Sequence, residues 1–209
     1  MDSDILIKLR SYACLDYSVL ENVFSDYAKP IDKILRLVKQ GDLIRIKKGL
    51  YVLANQLSLQ PVRKEVLANL IYGPSYISLQ YALSHYGLIP ERVETVTCMT
   101  TGRDKLFHTP IGTFSYKRIL PRKYSVGITL VSTQEAQFLM ATPEKALADI
   151  VEQTKGFKTW KDVSEYLTQD LRIELKDLAR LKPSQFKKIA ESYKTTSVSL
   201  LSQCMENIK

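Results

Sequence analysis

Apolar residues recur at helical spacing in the first third of the chain, at a period of two in the middle, and at helical spacing again towards the end. Residues 2–13 place Ile5, Leu6 and Leu9 on one side of a helix, and residues 17–24 do the same with Val19, Leu20 and Val23. Residues 25–29 then read as a turn. In residues 30–40, Ile31, Ile34, Leu35 and Val38 fall within a sector about 100° wide, and Lys29, Lys33, Arg36 and Gln40 gather on the opposite side. Pro30 suits a first helical position, where its missing N–H costs nothing, and Gly41 suits the residue just past the end. After Gly41 the period changes. Residues 43–46 and 50–53 read as two short strands around Lys47-Lys48-Gly49, a turn whose glycine can take positive φ.

The polar stretch 55–61 reads as a linker, which divides the chain into domains 1–55 and 56–209. Residues 63–71 predict a helix stopped by Gly73-Pro74, and SYISLQYALSHYG predicts another, with Ile77, Tyr81, Leu83 and Leu88 inward. Residues 93–100 alternate and are rich in β-branched side chains, as strands are; 113–119, 126–131 and 136–140 read as three more. Thr142-Pro143-Glu144 supplies a hydroxyl cap, a first-position proline and a first-turn acid for a helix carrying Ala146, Leu147, Ile150 and Val151. From Trp160 onward the pattern is helical in three or four short segments, one beginning at Pro183 and the last holding residues 198–205. The fold class expected is α+β, an N-terminal winged helix-turn-helix followed by a mixed α/β domain with a helical portion over about 155–209.

Charge sharpens the first of these expectations. The chain has 209 residues and a net charge of +8, yet residues 1–55 hold nine basic against seven acidic residues. Their positive charge is therefore not general; from 29 to 48 it concentrates into seven Lys/Arg against two Asp, on a helix and the hairpin after it. Two successive elements of one sign fit a surface that docks DNA. Lys33, Arg36 and Gln40 are the candidates for base edges in the major groove, and Lys29, Arg45, Lys47 and Lys48 for phosphates. Arg103, Lys105, Lys117, Arg118, Arg122 and Lys123 form a second basic set that extends the footprint, meets an acidic partner, or simply guards a strand edge. A protein-interaction module that neutralises a partner by direct contact is the alternative reading of the whole.

Little points to catalysis. His85 falls within an apolar, aromatic helix and reads as a hydrogen-bonded structural residue, while His108 reads as exposed in a loop. Glu94 with Asp104 and Lys105 makes a poor nuclease-like set, and Glu144 is explained by the helix dipole. Tyr72, Tyr76, Tyr81 and Tyr86 read as core. Cys14, Cys98 and Cys204 lack zinc or disulfide spacing and read as small buried residues of a reducing compartment. No apolar run approaches a membrane span and no secretory pattern opens the chain, so the expectation is a cytoplasmic protein without cofactor or metal.

Three blocks resemble the AbiEi family of antitoxin-type transcriptional regulators from abortive-infection and toxin–antitoxin operons. They are residues 29–53 ending in LIRIKKGLYVL, residues 73–103 (GPSYISLQYALSHYGLIPERVETVTCMTTGR) with TPIGTFSYKRI at 109–119, and ATPEKALADIV at 141–151. They occur in family order, and the middle block is the most specific. The resemblance implies an N-terminal winged helix that binds repeated operator sites in its own promoter. It also implies an α/β domain that opposes a nucleotidyltransferase-like toxin, without need of a stable complex in the type IV arrangement.

Overall fold

A computed structural model describes residues 2–54, 56–59, 62–134 and 136–208. The side chain of Leu6, and part of the expected linker at 55–61, lie outside the described residues. The architecture is mixed α+β, with two sheets.

The first unit runs α1 (Asp2–Leu9), β1 (Leu15–Asp16), α2 (Tyr17–Val23), α3 (Pro30–Gln40), β2 (Leu43–Lys47) and β3 (Leu50–Leu53). The two-residue strand β1 carries no periodic signal, yet it pairs antiparallel to β3 through Leu15–Tyr51 and Asp16–Leu50, giving a sheet of order β1-β3-β2. Asp16 then caps α2 by accepting the Val19 N–H at 2.8 Å. Leu9, Leu15, Leu20, Phe24, Ile34, Leu37, Leu43 and Leu53 close the core of this unit.

The hairpin is shared. Leu43, Tyr51 and Leu53 enter the first core, whereas Ile46, Leu50 and Val52 pack into the core of the larger unit. Alternate residues of a strand face opposite sides, so one hairpin joins both units. A boundary drawn at residue 55 separates the sequence but cuts across this packing.

The larger unit contains α4 (Lys64–Ile71), β4 (Ser75–Ile77), α5 (Leu79–His85), β5 (Val96–Thr100), β6 (Lys105–Thr109), β7 (Gly112–Arg118), α6 (Pro121–Tyr124), β8 (Ile128–Ser132), β9 (Gln137–Ala141) and α7 (Pro143–Gln153). Its six-stranded sheet has the order β6-β7-β5-β4-β9-β8, with β4–β9 and β5–β7 parallel. The helices α8 (Trp160–Glu165), α9 (Leu175–Leu178), α10 (Pro183–Tyr193) and α11 (Thr196–Asn207) complete it, with a π-helical turn over Tyr166–Asp170. Two sequence expectations are corrected. Residues 75–77 form a fully buried strand rather than the start of a helix, because a three-residue central strand is too short to show a period. The segment holding His108 is strand β6, not a loop. Cys98 and Cys204 are buried, Cys14 is half-buried, and all three are free thiols. Among the described residues no helix is long and apolar enough to cross a membrane.

Candidate nucleic-acid interface

The helix α3 ends as its sequence dictates. Gly41 adopts φ +82°, and the Asp42 N–H reaches the Leu37 carbonyl at 3.0 Å while Gly41 N–H reaches Val38 at 3.2 Å. This is the Schellman arrangement, which satisfies carbonyls the helix would otherwise leave open. Its rotation differs from expectation. Lys33, Ile34 and Leu37 are buried and Val38 half-buried, whereas Ile31 and Leu35 are each 55% exposed. Ile31, Ile34, Leu35, Leu37 and Val38 span an arc about 160° wide at 100° per residue, broader than one contact stripe. The core takes the flank containing Leu37, turning the helix by about 80° from the orientation that the sequence suggests.

That rotation corrects the expected set. Lys33 does not face outward: its stem is buried and its ammonium lies 5.2 Å over the Tyr27 ring. The outward face instead carries Asp32, Arg36, Lys39 and Gln40, with Lys29 exposed just before the helix. Lys39 was not among the expected residues, although it shares the arc of Arg36.

On the hairpin, Arg45 and Lys48 are exposed and Gly49 takes φ +80° in the turn, over the Cβ of Tyr17. Lys47 is corrected. Its ammonium donates to the carbonyls of Leu70 at 3.0 Å and Ile71 at 2.6 Å. Those are terminal carbonyls of α4, at the negative end of the helix dipole, so Lys47 clamps the hairpin to the larger unit. Partial burial lowers its pKa.

The second basic set divides in a similar way. Arg103, Lys105, Lys117, Arg118 and Arg122 are exposed. Asp104 sits among them, pairing with Lys117 at 3.3 Å and accepting the Arg118 backbone N–H at 2.8 Å. The Lys105 ammonium lies 4.9 Å over the Tyr72 ring, whose hydroxyl accepts the Arg103 N–H at 3.1 Å. Arg122 donates to the Tyr193 carbonyl at 3.3 Å. Lys123 is corrected: it is 5% exposed and paired with Glu152, so it belongs to the interior.

The remaining chemistry-bearing residues are dispersed. His85 is exposed, not a core residue, with its ring edge-on to Tyr86 and Phe138. His108 is exposed, 3.3 Å from the Thr113 hydroxyl. Glu94 pairs with Arg92 and Lys64, away from the partners of Asp104 and Lys105. Tyr76 is fully buried, and Tyr72, Tyr81 and Tyr86 pack half-buried against the core. Glu144 is buried and accepts the Lys182 backbone N–H at 3.3 Å. Among the described residues no group of three His, Cys, Asp or Glu side chains is placed to hold a metal ion.

Sequence reasoning missed a buried polar network on α7. Lys145 and Asp149 are fully buried and their charged atoms stand 3.7 Å apart. Asp149 accepts from Ser78 at 2.6 Å, from Tyr76 at 3.0 Å and from Tyr193. Lys145 donates to the Tyr193 hydroxyl at 2.6 Å and to the Lys123 carbonyl. Beside it, Glu152 takes Lys123 on one oxygen and the Thr195 hydroxyl on the other at 2.6 Å. Burial raises the Asp149 carboxyl and lowers the Lys145 ammonium, each opposed by the other's charge. Burial also raises the Tyr76 and Tyr193 hydroxyls, which stay protonated and donate. The sequence signal was present: lysine and aspartate four apart inside KALADIV, a helix segment otherwise apolar. The network joins the block around Tyr76 and Ser78 to the block around Lys145 and ties both to α10. No protein-family model matches the chain, and no curated protein matches it in sequence.

Proposed function

We propose that α3 and the β2–β3 hairpin are the reading helix and wing of a winged helix-turn-helix, and that the chain is a DNA-binding repressor and antitoxin autoregulating a toxin–antitoxin operon. The observation that carries this reading is the first unit itself. It has the order helix, strand, helix, helix, strand, strand, with the first strand against the last, and its third helix and hairpin expose Lys29, Arg36, Lys39, Gln40, Arg45 and Lys48. In this reading α3 enters the major groove. Arg36 addresses guanine and Gln40 adenine, while Lys29, Lys39, Arg45 and Lys48 meet phosphates. Lys33 and Lys47 have no part in it. The exposed members of the second basic set lengthen the contact with the backbone.

The role of the larger unit, opposing a nucleotidyltransferase-like toxin, is supported by the resemblance of residues 73–119 and 141–151. Growth rescue on co-expression with the adjacent gene product tests it. For the DNA half, purified protein is titrated with its own upstream duplex and with a scrambled duplex across a salt series. A preference of about a thousandfold is expected. Arg36→Ala should erase discrimination at one base pair worth about 1–3 kcal/mol. Equal binding of the two duplexes by the unaltered protein would refute the repressor reading. A protein-docking surface is the second reading, favoured by one observation, the exposure of Ile31 and Leu35.

A further inference from the structure

The outward face of α3 is not wholly polar. Ile31 and Leu35 stand one turn apart, each 55% exposed, while the core of the unit is completed by Ile34 and Leu37 from the other flank. A rotation of about 80° would have hidden both and released Lys33 to solvent. The fold instead buries a lysine stem and leaves two branched aliphatic side chains outside.

The surroundings of this pair say what it meets. Lys29 precedes it, Arg36 adjoins Leu35, Lys39 follows one turn later, and Arg45 and Lys48 project from the hairpin; all five are exposed. An apolar protein groove seated on Ile31 and Leu35 would have to desolvate the neighbouring cations, Lys29 at the start of the same helix and Arg36 and Lys39 along it. A polyanion with apolar spots in its floor would pair those cations with its own charges. The major groove of DNA has one such spot, the C5-methyl group of thymine.

We propose that Ile31 and Leu35 read thymine, each packing on a C5-methyl group in the major groove, and that the preferred duplex carries thymines at those places. The inference rests on α3 being the helix that enters DNA. Four residues of α-helix rise about 6 Å, close to two base steps of about 3.4 Å. The two thymines therefore lie within about two base-pair steps of each other, on the Arg36 side of the footprint and away from Gln40, which stands about 180° around the helix from Ile31. Asp32, exposed between the two aliphatic side chains in sequence, tunes the same face. Its carboxylate repels phosphate and tolerates a cytosine amino group, which orients the helix with its aliphatic edge towards the bases.

Duplexes are selected from a random-sequence pool with the full chain, and each thymine of the winner is replaced in turn by deoxyuridine. Uracil keeps every hydrogen-bonding group and lacks only the methyl. The expected result is a loss of about fourfold at each of two positions within two base-pair steps, the equivalent of about one buried methyl each. The variant Ile31→Ser/Leu35→Ser, with an unchanged urea midpoint, should bind thymine and uracil duplexes equally. Uracil that costs nothing anywhere, or costs the double variant as much as the parent, overturns the thymine reading and leaves the repressor reading standing. If the chain selects no duplex at all, both readings fall. A neighbouring gene product that binds the parent and not the double variant would then assign the pair to a protein contact.

Discussion

The helices α3 and α7 are each eleven residues long, each begins with proline, and each carries a carboxylate and a lysine in its first turn. Their charges go to opposite places. In α3, Asp32, Arg36 and Lys39 reach solvent and only Lys33 is drawn under Tyr27. In α7, Glu144, Lys145 and Asp149 are all buried. The difference is set by what each helix packs against. The helix α2 and the strand β2 cover one flank of α3. The helix α7 lies among α5, α10 and α11 and next to β9, so almost every position meets protein. Buried charge there survives because Ser78, Tyr76, Tyr193 and the Lys123 carbonyl supply the hydrogen bonds that water would have made. The same residue type is thus open to solvent in one helix and an internal tie in the other.

Removing one member of the internal tie should give the largest effect. Asp149→Ala leaves Lys145 buried without its counter-charge, at a cost of about 3–5 kcal/mol in urea unfolding. Lys145→Met/Asp149→Asn removes both charges and keeps an acceptor for the hydroxyls, so it should be closer to the parent than Asp149→Ala. If Asp149→Ala costs under about 1 kcal/mol, the network is not the tie described.

A pair of neighbouring lysines breaks the comparison within two residues. Lys47→Ala should lower stability by about 1–2 kcal/mol, the share of charge-assisted bonds at a partly exposed site, with no direct change in the phosphate count. Lys48→Ala should leave stability within about 0.5 kcal/mol and flatten the salt dependence of DNA binding by about one unit. Exchange of these two outcomes would return Lys47 to the DNA contact.

A stability effect below those of Asp149 and Lys47 sits at the start of α2. The Val19 N–H, then the Ser18 hydroxyl, hold the Asp16 carboxyl below its usual value. A carboxyl depressed on folding contributes stability above its unfolded value of about 4 and loses it as pH falls through the folded value. Asp16→Ala should cost about 1 kcal/mol at neutral pH. Asp16→Asn keeps a capping oxygen and should lack the acid-side loss, which pH-dependent urea midpoints would show. An acid limb as steep in Asp16→Asn as in the parent would assign it to other carboxylates.

Local chemistry made much of this legible in advance. Pro30 and Gly41 bracket α3, Thr142 and Pro143 open α7, and Gly49 turns the hairpin, because each acts through its own backbone or the next turn. The alternation of 113–119 located β7 to within a residue at each end. The short strands β1 and β4 were not legible, since two or three residues show no period and exist only through partners far along the chain. β6 was missed because its exposed edge position leaves no apolar alternation to read.

For the candidate site the division is sharper. The sequence determined that residues 29–48 carry a concentrated positive charge on a helix and a hairpin, for composition and helix-stop signals are properties of the chain. It did not determine which cations face outward. An apolar arc of about 160° permits more than one rotation, and the choice fell to the packing of Leu37 against the first core. Lys47 was decided further away still, by the open carbonyls at the end of α4, twenty-three and twenty-four residues along the chain. Tertiary structure assigns such residues because a long flexible cation goes to the nearest unsatisfied oxygen, and only the fold decides where that oxygen is.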